Sequence, residues 1–220
     1  MRWFALISLM AASAAACAQS LDSENLPTVW RLESVETVGG LAAERVGAPR
    51  ILGPGEGLGF DGLGDGMTVP VNPVAGCAGF TIEVLIRPDV GGPEEQRYFH
   101  VEDTAGRRGL LELRMVGAEA WCLDTFLKCR AASLVLIDRA KTHPAGRWTW
   151  VALRYDGRAL SAWVDGAKEL EGALVFGPMG AGSVSIGMRQ DGRSWFRGAI
   201  REVRFSREPL PPERMQRTEK

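Results

Sequence analysis

The chain has 220 residues, of which 45% are hydrophobic, and its formal net charge at pH 7 is −1. One domain with a substantial core is expected, since β-sandwiches commonly reach about 200 to 250 residues as a single domain. The net charge is close to zero and the sequence has no basic stripe. Charge alone therefore does not indicate nucleic acid as a partner. The 27 glycines and 12 prolines are spread along the chain, which is typical of many turns between short strands.

The first 18 residues have the pattern of a secretory signal peptide. Arg2 precedes an apolar run, and small residues follow from Ala11 to Ala16. Cleavage after Ala18 predicts an exported protein, periplasmic or extracellular. The alternative is a lipid anchor on Cys17, although Ala14 stands where a larger aliphatic residue is more typical of lipoproteins. No later apolar run reaches the ~20 residues needed to span a bilayer.

The remaining chain predicts strands almost throughout. Residues 19–54 are interpreted as an N-terminal strand and linker packed on the domain, and residues 55–220 as the domain itself. Period-two alternation or short apolar runs predict strands at 29–38, 58–60, 67–71, 80–87, 97–102, 110–116, 121–127, 133–137, 148–155, 159–164, 174–176, 183–187 and 200–205. Only a short terminal turn near Pro212 has helical character. This spacing predicts an all-β fold, a two-sheet antiparallel sandwich.

The segment WTWVALRYDGRALSAWVDG, residues 148–166, gives the strongest local signal. Asp156-Gly157 and Asp165-Gly166 each predict a two-residue turn, because glycine tolerates the positive φ that tight hairpins require. We expect Trp148 and Trp150 to face the core, since they are in phase on one strand.

The order of these signals resembles a laminin-G-like domain of the concanavalin A-like lectin/glucanase superfamily. The residues that carry the resemblance, over about 55–215, are Phe60-Asp61-Gly62 with Asp65, Phe80 to Glu83 with Arg87-Pro88, Trp148 to Leu153, Tyr155-Asp156-Gly157, Val164-Asp165-Gly166, Ser185-Ile186-Gly187 and Phe196 to Ile200 with Glu202-Val203. The resemblance implies a jelly-roll sandwich, usually secreted, with a concave sheet and carbohydrate or cell-surface partners. Trp150 departs from the family, in which many members have histidine.

The sequence lacks the glycosidase signature of this fold. Enzymes of this type carry carboxylates two or more positions apart on one strand, where they share a face and flank the scissile bond. If the chain is an enzyme, the candidates are Glu83, Glu112 and Asp124, brought together from different strands. The alternative is that these carboxylates form salt bridges with Arg87, Arg114 and Arg154 on a polar sheet face.

A sugar site pairs an aromatic plate with polar hydrogen-bonding groups. The candidates of these two types are Trp121, Asp124, Trp163, Arg193 and Trp195, with core packing as the alternative for each tryptophan. Asp61 and Asp65 share a glycine-rich loop whose oxygen atoms suit a structural calcium ion, although an aspartate also stabilises its own turn. The two histidines lack metal-ligand spacing, and no cofactor is required.

Export makes Cys77, Cys122 and Cys129 candidates for a disulfide, with three buried thiols as the alternative. A bond between Cys122 and Cys129 requires a turn near Asp124-Thr125, because seven residues of extended strand span roughly 23 Å. A bond from Cys77 to either one requires no such turn.

These observations favour an exported, non-catalytic binding module that recognises carbohydrate or a glycosylated surface. The alternatives are a polysaccharide hydrolase or lyase with dispersed carboxylates, and a structural or adhesive envelope protein that binds protein.

Overall fold

A computed structural model describes residues 28–129 and 132–219 of the chain. The strands in these ranges are β1 (Thr28–Arg31), β2 (Thr37–Val38), β3 (Leu41–Ala42), β4 (Glu44–Val46), β5 (Arg50–Gly53), β6 (Gly57–Asp61), β7 (Gly66–Val69), β8 (Phe80–Pro88), β9 (Glu95–Asp103), β10 (Arg108–Val116), β11 (Ala120–Lys128), β12 (Ser133–Ile137), β13 (His143–Pro144), β14 (Thr149–Tyr155), β15 (Ala159–Val164), β16 (Ala167–Ala173), β17 (Gly182–Ile186) and β18 (Arg197–Ser206). A short 3-10 helix, Pro212–Arg214, follows.

Two antiparallel sheets contain nearly all of these strands. Sheet I has the order β16-β15-β14-β8-β18-β6-β5, with β1 also paired to β18. Sheet II has the order β12-β11-β10-β9-β17-β7-β4, with β13 also paired to β11. Strands β2 and β3 form a separate hairpin. The predicted two-sheet antiparallel sandwich is confirmed.

The core lies between the facing sides of the two sheets. On β14, Val151, Leu153 and Tyr155 point inward and are almost fully buried. The rings of Phe99 in sheet II and Phe205 in sheet I lie 5.9 Å apart, centroid to centroid. Each such side chain contributes about 1.5 to 3 kcal/mol on burial, so this interior supplies the main stabilisation of the fold.

The structure corrects the placement of Trp148 and Trp150. Both are out of phase with the inward residues of β14. Trp150 is buried on the outer face of sheet I, where the Arg204 guanidinium lies 5.3 Å from its ring centroid. Trp148 is half-buried beside Arg87. Neither tryptophan belongs to the cluster between the sheets.

The end of the chain covers part of the outer face of sheet I. Leu210 and Met215 form a small apolar cluster with Ala152 and Trp163. The backbone N–H of Gln216 donates a 2.7 Å hydrogen bond to Oε1 of Glu83. This part of the sheet face is therefore covered by the chain itself, and Glu83 serves there as an internal hydrogen-bond partner.

Residues 28–54 are part of the sandwich, because β1 and β5 extend sheet I and β4 extends sheet II. The single strand predicted at 29–38 is instead two short strands separated by a bend. The strand expected at 174–176 is absent, and the polar strand β16 was missed because its sequence, AKELEGA, lacks an apolar alternation.

The two Asp-Gly turns differ in length. Asp165 and Gly166 both have positive φ, 45° and 71°, and form the predicted two-residue turn between β15 and β16. The first connection has three residues, and Oδ1 of Asp156 accepts hydrogen bonds from the N–H groups of Arg158 and Ala159.

The predicted signal peptide and Cys17 lie outside the described residues. Across 28–129 and 132–219, no helix is both long enough and apolar enough to cross a membrane.

The cysteines of the described chain are free thiols. Strand β11 runs unbroken through Asp124 and Thr125, so the turn required for a Cys122–Cys129 bond does not exist. Cys77 and Cys122 are buried, while Cys129 is half-buried after the end of β11. Cys77 and Cys122 therefore fit the alternative expectation of buried free thiols.

Candidate functional site

The outer face of sheet II carries a cluster of charged side chains on the neighbouring strands β10 and β11. Alternation along β10 directs Arg108, Leu110, Glu112 and Arg114 away from the core, while Leu111 and Leu113 point into it. On β11, Asp124 is the direct register partner of Glu112. Two carboxylates that lie 12 positions apart in the sequence are therefore cross-strand neighbours.

A β-bulge adds an arginine to this cluster. Leu111 pairs with Phe99, but the next residue, Glu112, pairs with Arg97 rather than with Tyr98. The extra residue, Tyr98, is fully buried and its ring packs 5.7 Å from that of Phe196. The bulge therefore places the Arg97 side chain on the outer face beside Glu112. β-Bulges often redirect a side chain in this way.

Ion pairs fix the geometry of these groups. Nε of Arg97 donates to Oε1 of Glu112 at 2.8 Å. Nη2 of Arg114 lies 2.7 Å from Oδ2 of Asp124 and 3.5 Å from Oε2 of Glu112. Because both carboxylates are almost completely buried, each needs a partner, and the two arginines satisfy that requirement.

Burial raises the pKa of both carboxyl groups. Burial, and then the charge of Asp124, raise the pKa of Glu112 to about 7. Burial also raises the pKa of Asp124, against the lowering effect of Arg114 and Arg97. Oδ1 of Asp124 is buried and accepts no hydrogen bond from the described residues, so it is an acceptor that a ligand donor could satisfy.

The connection between β17 and β18 borders the cluster. Nδ1 of His100, on β9, accepts a hydrogen bond from the N–H of Gln190. Its Nε2 therefore carries the proton of the neutral ring and lies 3.1 Å from Oε2 of Glu102. Burial and nearby arginines lower the pKa of His100 to about 3, so the ring remains neutral and holds this connection against the sheet.

These elements enclose a cavity of about 240 Å³. We call it the arginine cavity. Its lining consists of Arg97, Arg108, Leu110, Glu112, Arg114, Asp124, Phe126, Val135 and Arg189. Charged groups lie beside the half-buried ring of Phe126 and the exposed side chain of Val135, so the cavity presents both polar and apolar contacts.

The structure brings together two of the predicted carboxylates and separates the third. Glu112 and Asp124 line the arginine cavity, whereas Glu83 lies on the outer face of sheet I under the chain end. The expected salt bridge to Arg114 is present. Arg154 pairs instead with Asp156, and Arg87 lies over the ring of Trp148.

Two of the predicted sugar-binding tryptophans have no surface for a ligand. Trp121 has 0% exposure, and its Nε1 donates to the carbonyl of Pro144. Trp163 is buried beneath the chain end, and its Nε1 donates to Oγ of Ser161. Both tryptophans therefore contribute apolar packing to the fold, and their indole N–H groups are satisfied within the protein.

The other two predicted binding residues lie on the connection beside the cavity. Arg193 is exposed and pairs with Asp191 at 2.9 Å. Trp195 is half-buried and follows Ser194, whose Oγ accepts a hydrogen bond from Arg97. Neither residue lines the cavity.

The two aspartates considered for calcium both stabilise loops. Oδ1 of Asp61 accepts hydrogen bonds from the N–H groups of Leu63, Gly64 and Asp65. Oδ1 of Asp65 accepts one from Ala48. Among the described residues, no group of three or more His, Cys, Asp or Glu side chains is placed to hold a metal ion. Calcium binding stays a prediction.

Sequence reasoning missed six residues that line the arginine cavity, namely Arg97, Arg108, Leu110, Phe126, Val135 and Arg189. The alternation of β10 and β11 was visible and would have placed Arg108 and Phe126 on the face of Glu112 and Asp124, had the register been known. The bulge that turns Arg97 outward has no signal in the sequence.

The sandwich and its family match place this chain in the concanavalin A-like lectin/glucanases superfamily. Residues 61–216 match the family Laminin_G_3, and the chain belongs to that family. A search of curated protein sequences finds no significant match.

Several solved structures have the same fold. Domain 4 of AbnA, an extracellular arabinanase from Geobacillus stearothermophilus, in complex with arabinotriose, is 16% identical, with a TM-score of 0.57 over 86% of this chain and 96% of that one. The CBM40 of the Ruminococcus gnavus IT-sialidase, bound to α2,3-sialyllactose, is 17% identical, with a TM-score of 0.51 over 63% and 81%. The ligand binding domain of Botulinum neurotoxin serotype D, in complex with N-acetylneuraminic acid, is 12% identical, with a TM-score of 0.61 over 86% of this chain and 49% of that one. At these identities the likeness is one of fold.

Proposed function

We propose that this chain is an exported carbohydrate-binding module and that its sugar site is the arginine cavity. The observation that carries the proposal is the combination of fixed charged groups and a half-buried aromatic ring in one cavity. Arg97, Arg114, Glu112 and Asp124 are held by mutual ion pairs, so their free hydrogen-bonding positions are oriented before a ligand arrives. Preorganised polar groups of this kind give a binding site its specificity.

The size and chemistry of the cavity suit a sugar. A pyranose has an apolar face and a polar rim, and Phe126 with Val135 provides apolar contact beside the charged groups. The cavity of about 240 Å³ is smaller than the ~300 to 1,000 Å³ of typical sites for drug-sized ligands. It accommodates one sugar unit, and a longer glycan would continue over the exposed edge formed by β12.

Two further observations support the proposal. Proteins of this fold, among them the arabinanase domain and the sialidase CBM40, are described in complex with arabinotriose and with sialyllactose. The N-terminal segment has the pattern of a secretory signal, which suits a module that meets extracellular or envelope glycans.

Binding of the purified protein to a broad glycan array tests the proposal. We expect binding to a defined subset of glycans, and loss of that binding in the variant Phe126→Ala. The control is Val175→Ala, which removes an exposed apolar side chain outside the cavity. Absence of binding to every glycan would contradict the proposal and favour a structural or adhesive protein that binds protein.

The carboxyl pair supports a second candidate, a polysaccharide hydrolase or lyase. A carboxyl group with a pKa of about 7 is a suitable general acid at neutral pH, and a second carboxylate lies beside it. Both carboxyl groups are already engaged in ion pairs with Arg97 and Arg114, so binding ranks ahead of hydrolysis. Release of reducing sugar by the wild type, lost in Glu112→Gln with folding intact, would reverse that order.

A further inference from the structure

The lining of the arginine cavity has more positive than negative charge. It contains four arginines and two carboxylates, Glu112 and Asp124. Those two carboxylates are bound by Arg97 and Arg114. Arg108 and Arg189 remain on the same wall without a carboxylate of the lining as a partner.

Arg108 is oriented but not hydrogen-bonded. Its guanidinium lies over the ring of Phe126, 5.7 Å from the ring centroid, within the range of a cation–π contact. Its Nε is buried without a hydrogen-bond partner among the described residues. The nearest acid is Glu102 on the rim, with Oε1 at 3.7 Å from Nη1, which is beyond hydrogen-bond distance.

Arg189 is in a similar position. Among the described residues its side chain donates no hydrogen bond, and its closest acid is Asp191, 3.4 Å away and 46% exposed. Burial lowers the pKa of Arg189. Asp191 partly opposes this effect, and the positive charges of Arg193, Arg108 and Arg97 add to it. Cations are therefore held together here with incomplete compensation.

We propose that Arg108 and Arg189 form an anion-binding position, and that the sugar bound in the cavity carries a carboxylate or sulfate group. This inference rests on the proposed carbohydrate-binding function and adds the chemical class of the ligand. An arginine presents a planar fork of N–H donors that matches two oxygen atoms of such a group. A bound anion would give hydrogen-bond partners to the donors that lack them and would relieve the repulsion between the two guanidinium groups. The near-zero net charge of the chain concealed this local surplus.

Matched pairs of glycans that differ only in charge test the inference. We would measure affinities by calorimetry at pH 7 and low salt for sialyllactose against lactose, oligogalacturonate against its methyl ester, and a sulfated oligosaccharide against its desulfated form. We expect the charged member of at least one pair to bind about tenfold more tightly, which is about 1.4 kcal/mol, because its anion would accept charge-assisted hydrogen bonds that the neutral member cannot. That preference should decline as salt screens the charges.

Two variants assign the effect to these residues. Arg108→Gln and Arg189→Gln should each lower the affinity for the charged member several-fold more than the affinity for the neutral member, and so reduce the preference for the charged one. Arg31→Gln is the control, since it removes the same charge from an exposed position on sheet I. Thermal unfolding of all three variants verifies that they are folded.

The outcomes distinguish failure of the anion-binding position from failure of the carbohydrate-binding function on which it rests. Equal affinity for the charged and neutral members would overturn the anion position while the carbohydrate-binding function stands. A preference that persists in both arginine variants would place the anion elsewhere and overturn the assignment to Arg108 and Arg189. Failure of every glycan to bind, on the array as well as in these pairs, would overturn the proposed function itself.

Discussion

Glu112 and Asp124 face each other across β10 and β11, and both are buried on the outer face of sheet II. Buried side chains on a sheet's outer face are normally apolar, since removing a carboxylate from water is costly without a partner. Here the cost is offset by the ion pairs with Arg97 and Arg114. Buried titratable groups with strongly shifted pKa values cluster at functional sites, and this carboxyl pair is of that kind.

The carboxyl pair should make stability depend on pH. Burial raises the pKa of Glu112 from 4.5 to about 7, so the folded protein binds more protons than the unfolded chain between these values. The associated stability is present below about pH 4.5 and is lost as the pH rises through about 7. Glu112→Gln removes this dependence. Urea unfolding at pH 5 and pH 8 should show a wild-type decline, relative to the variant, on the order of 1 to 3 kcal/mol. Parallel pH profiles of the two proteins would contradict the shifted pKa.

Loss of one acid should affect both binding and stability. Asp124→Asn leaves Arg114 without its 2.7 Å carboxylate partner, and we expect a loss of about 2 to 4 kcal/mol in the free energy of unfolding. Glycan affinity should fall by about tenfold or more, because the orientation of Arg114 is lost. Asp138→Asn, in the exposed turn after β12, is the control and should alter neither quantity. Wild-type affinity in Asp124→Asn would exclude Asp124 from the site.

The chain end should contribute strongly to stability. Leu210→Ala and Met215→Ala each remove an almost fully buried side chain from the cluster over Trp163, so each should cost about 2 to 5 kcal/mol. Chemical unfolding measures this cost. Arg214→Ala, at a half-exposed side chain of the same segment, should change stability by less than about 1 kcal/mol. Small effects at Leu210 and Met215 would mean that the segment is not stably attached in solution.

Gly198 should not tolerate a side chain. Its φ is +150°, and an added Cβ would lie 2.4 Å from the carbonyl oxygen of Arg87 in the neighbouring strand. We expect Gly198→Ala to destabilise the protein by about 3 kcal/mol or more, since backbone on both sides of the contact would have to shift. Gly64→Ala is the matched control, because open space surrounds that position. A thermal melt of Gly198→Ala that coincides with the wild-type melt would refute this packing.

The three described thiols should react at different rates. In the native protein, iodoacetamide should label Cys129 before Cys77 and Cys122, because the latter two are buried. Burial also raises the pKa of both buried thiols and so lowers their thiolate fraction. Peptide mapping after labelling, with and without denaturant, distinguishes the sites. A disulfide among these three in the mapped peptides would contradict the free thiols.

The local order of this chain is encoded directly in its sequence. Alternation in Phe80 to Arg87 and in Leu110 to Val116 predicted β8 and β10. The pair Asp165-Gly166 predicted a tight turn. Both predictions succeeded because side-chain alternation along a strand and positive φ in a turn depend on only a few neighbouring residues. The spacing of the strands predicted the two-sheet sandwich, and the family resemblance added the jelly-roll arrangement. The sequence did not predict the polar edge strand β16, because nothing in its composition distinguishes it from a loop.

The composition of the site was decided by tertiary structure. Glu83, Glu112 and Asp124 are equivalent in sequence terms, yet strand order places two together in sheet II and the third beneath the chain end on sheet I. A bulge at Tyr98 turned Arg97 outward, and the connection after β17 brought Arg189 to the same wall. Sequence by itself determined which residues form strands and which alternate, since those preferences are local. Register, bulges and the choice of sheet depend on contacts between distant segments, and only the folded chain determines them.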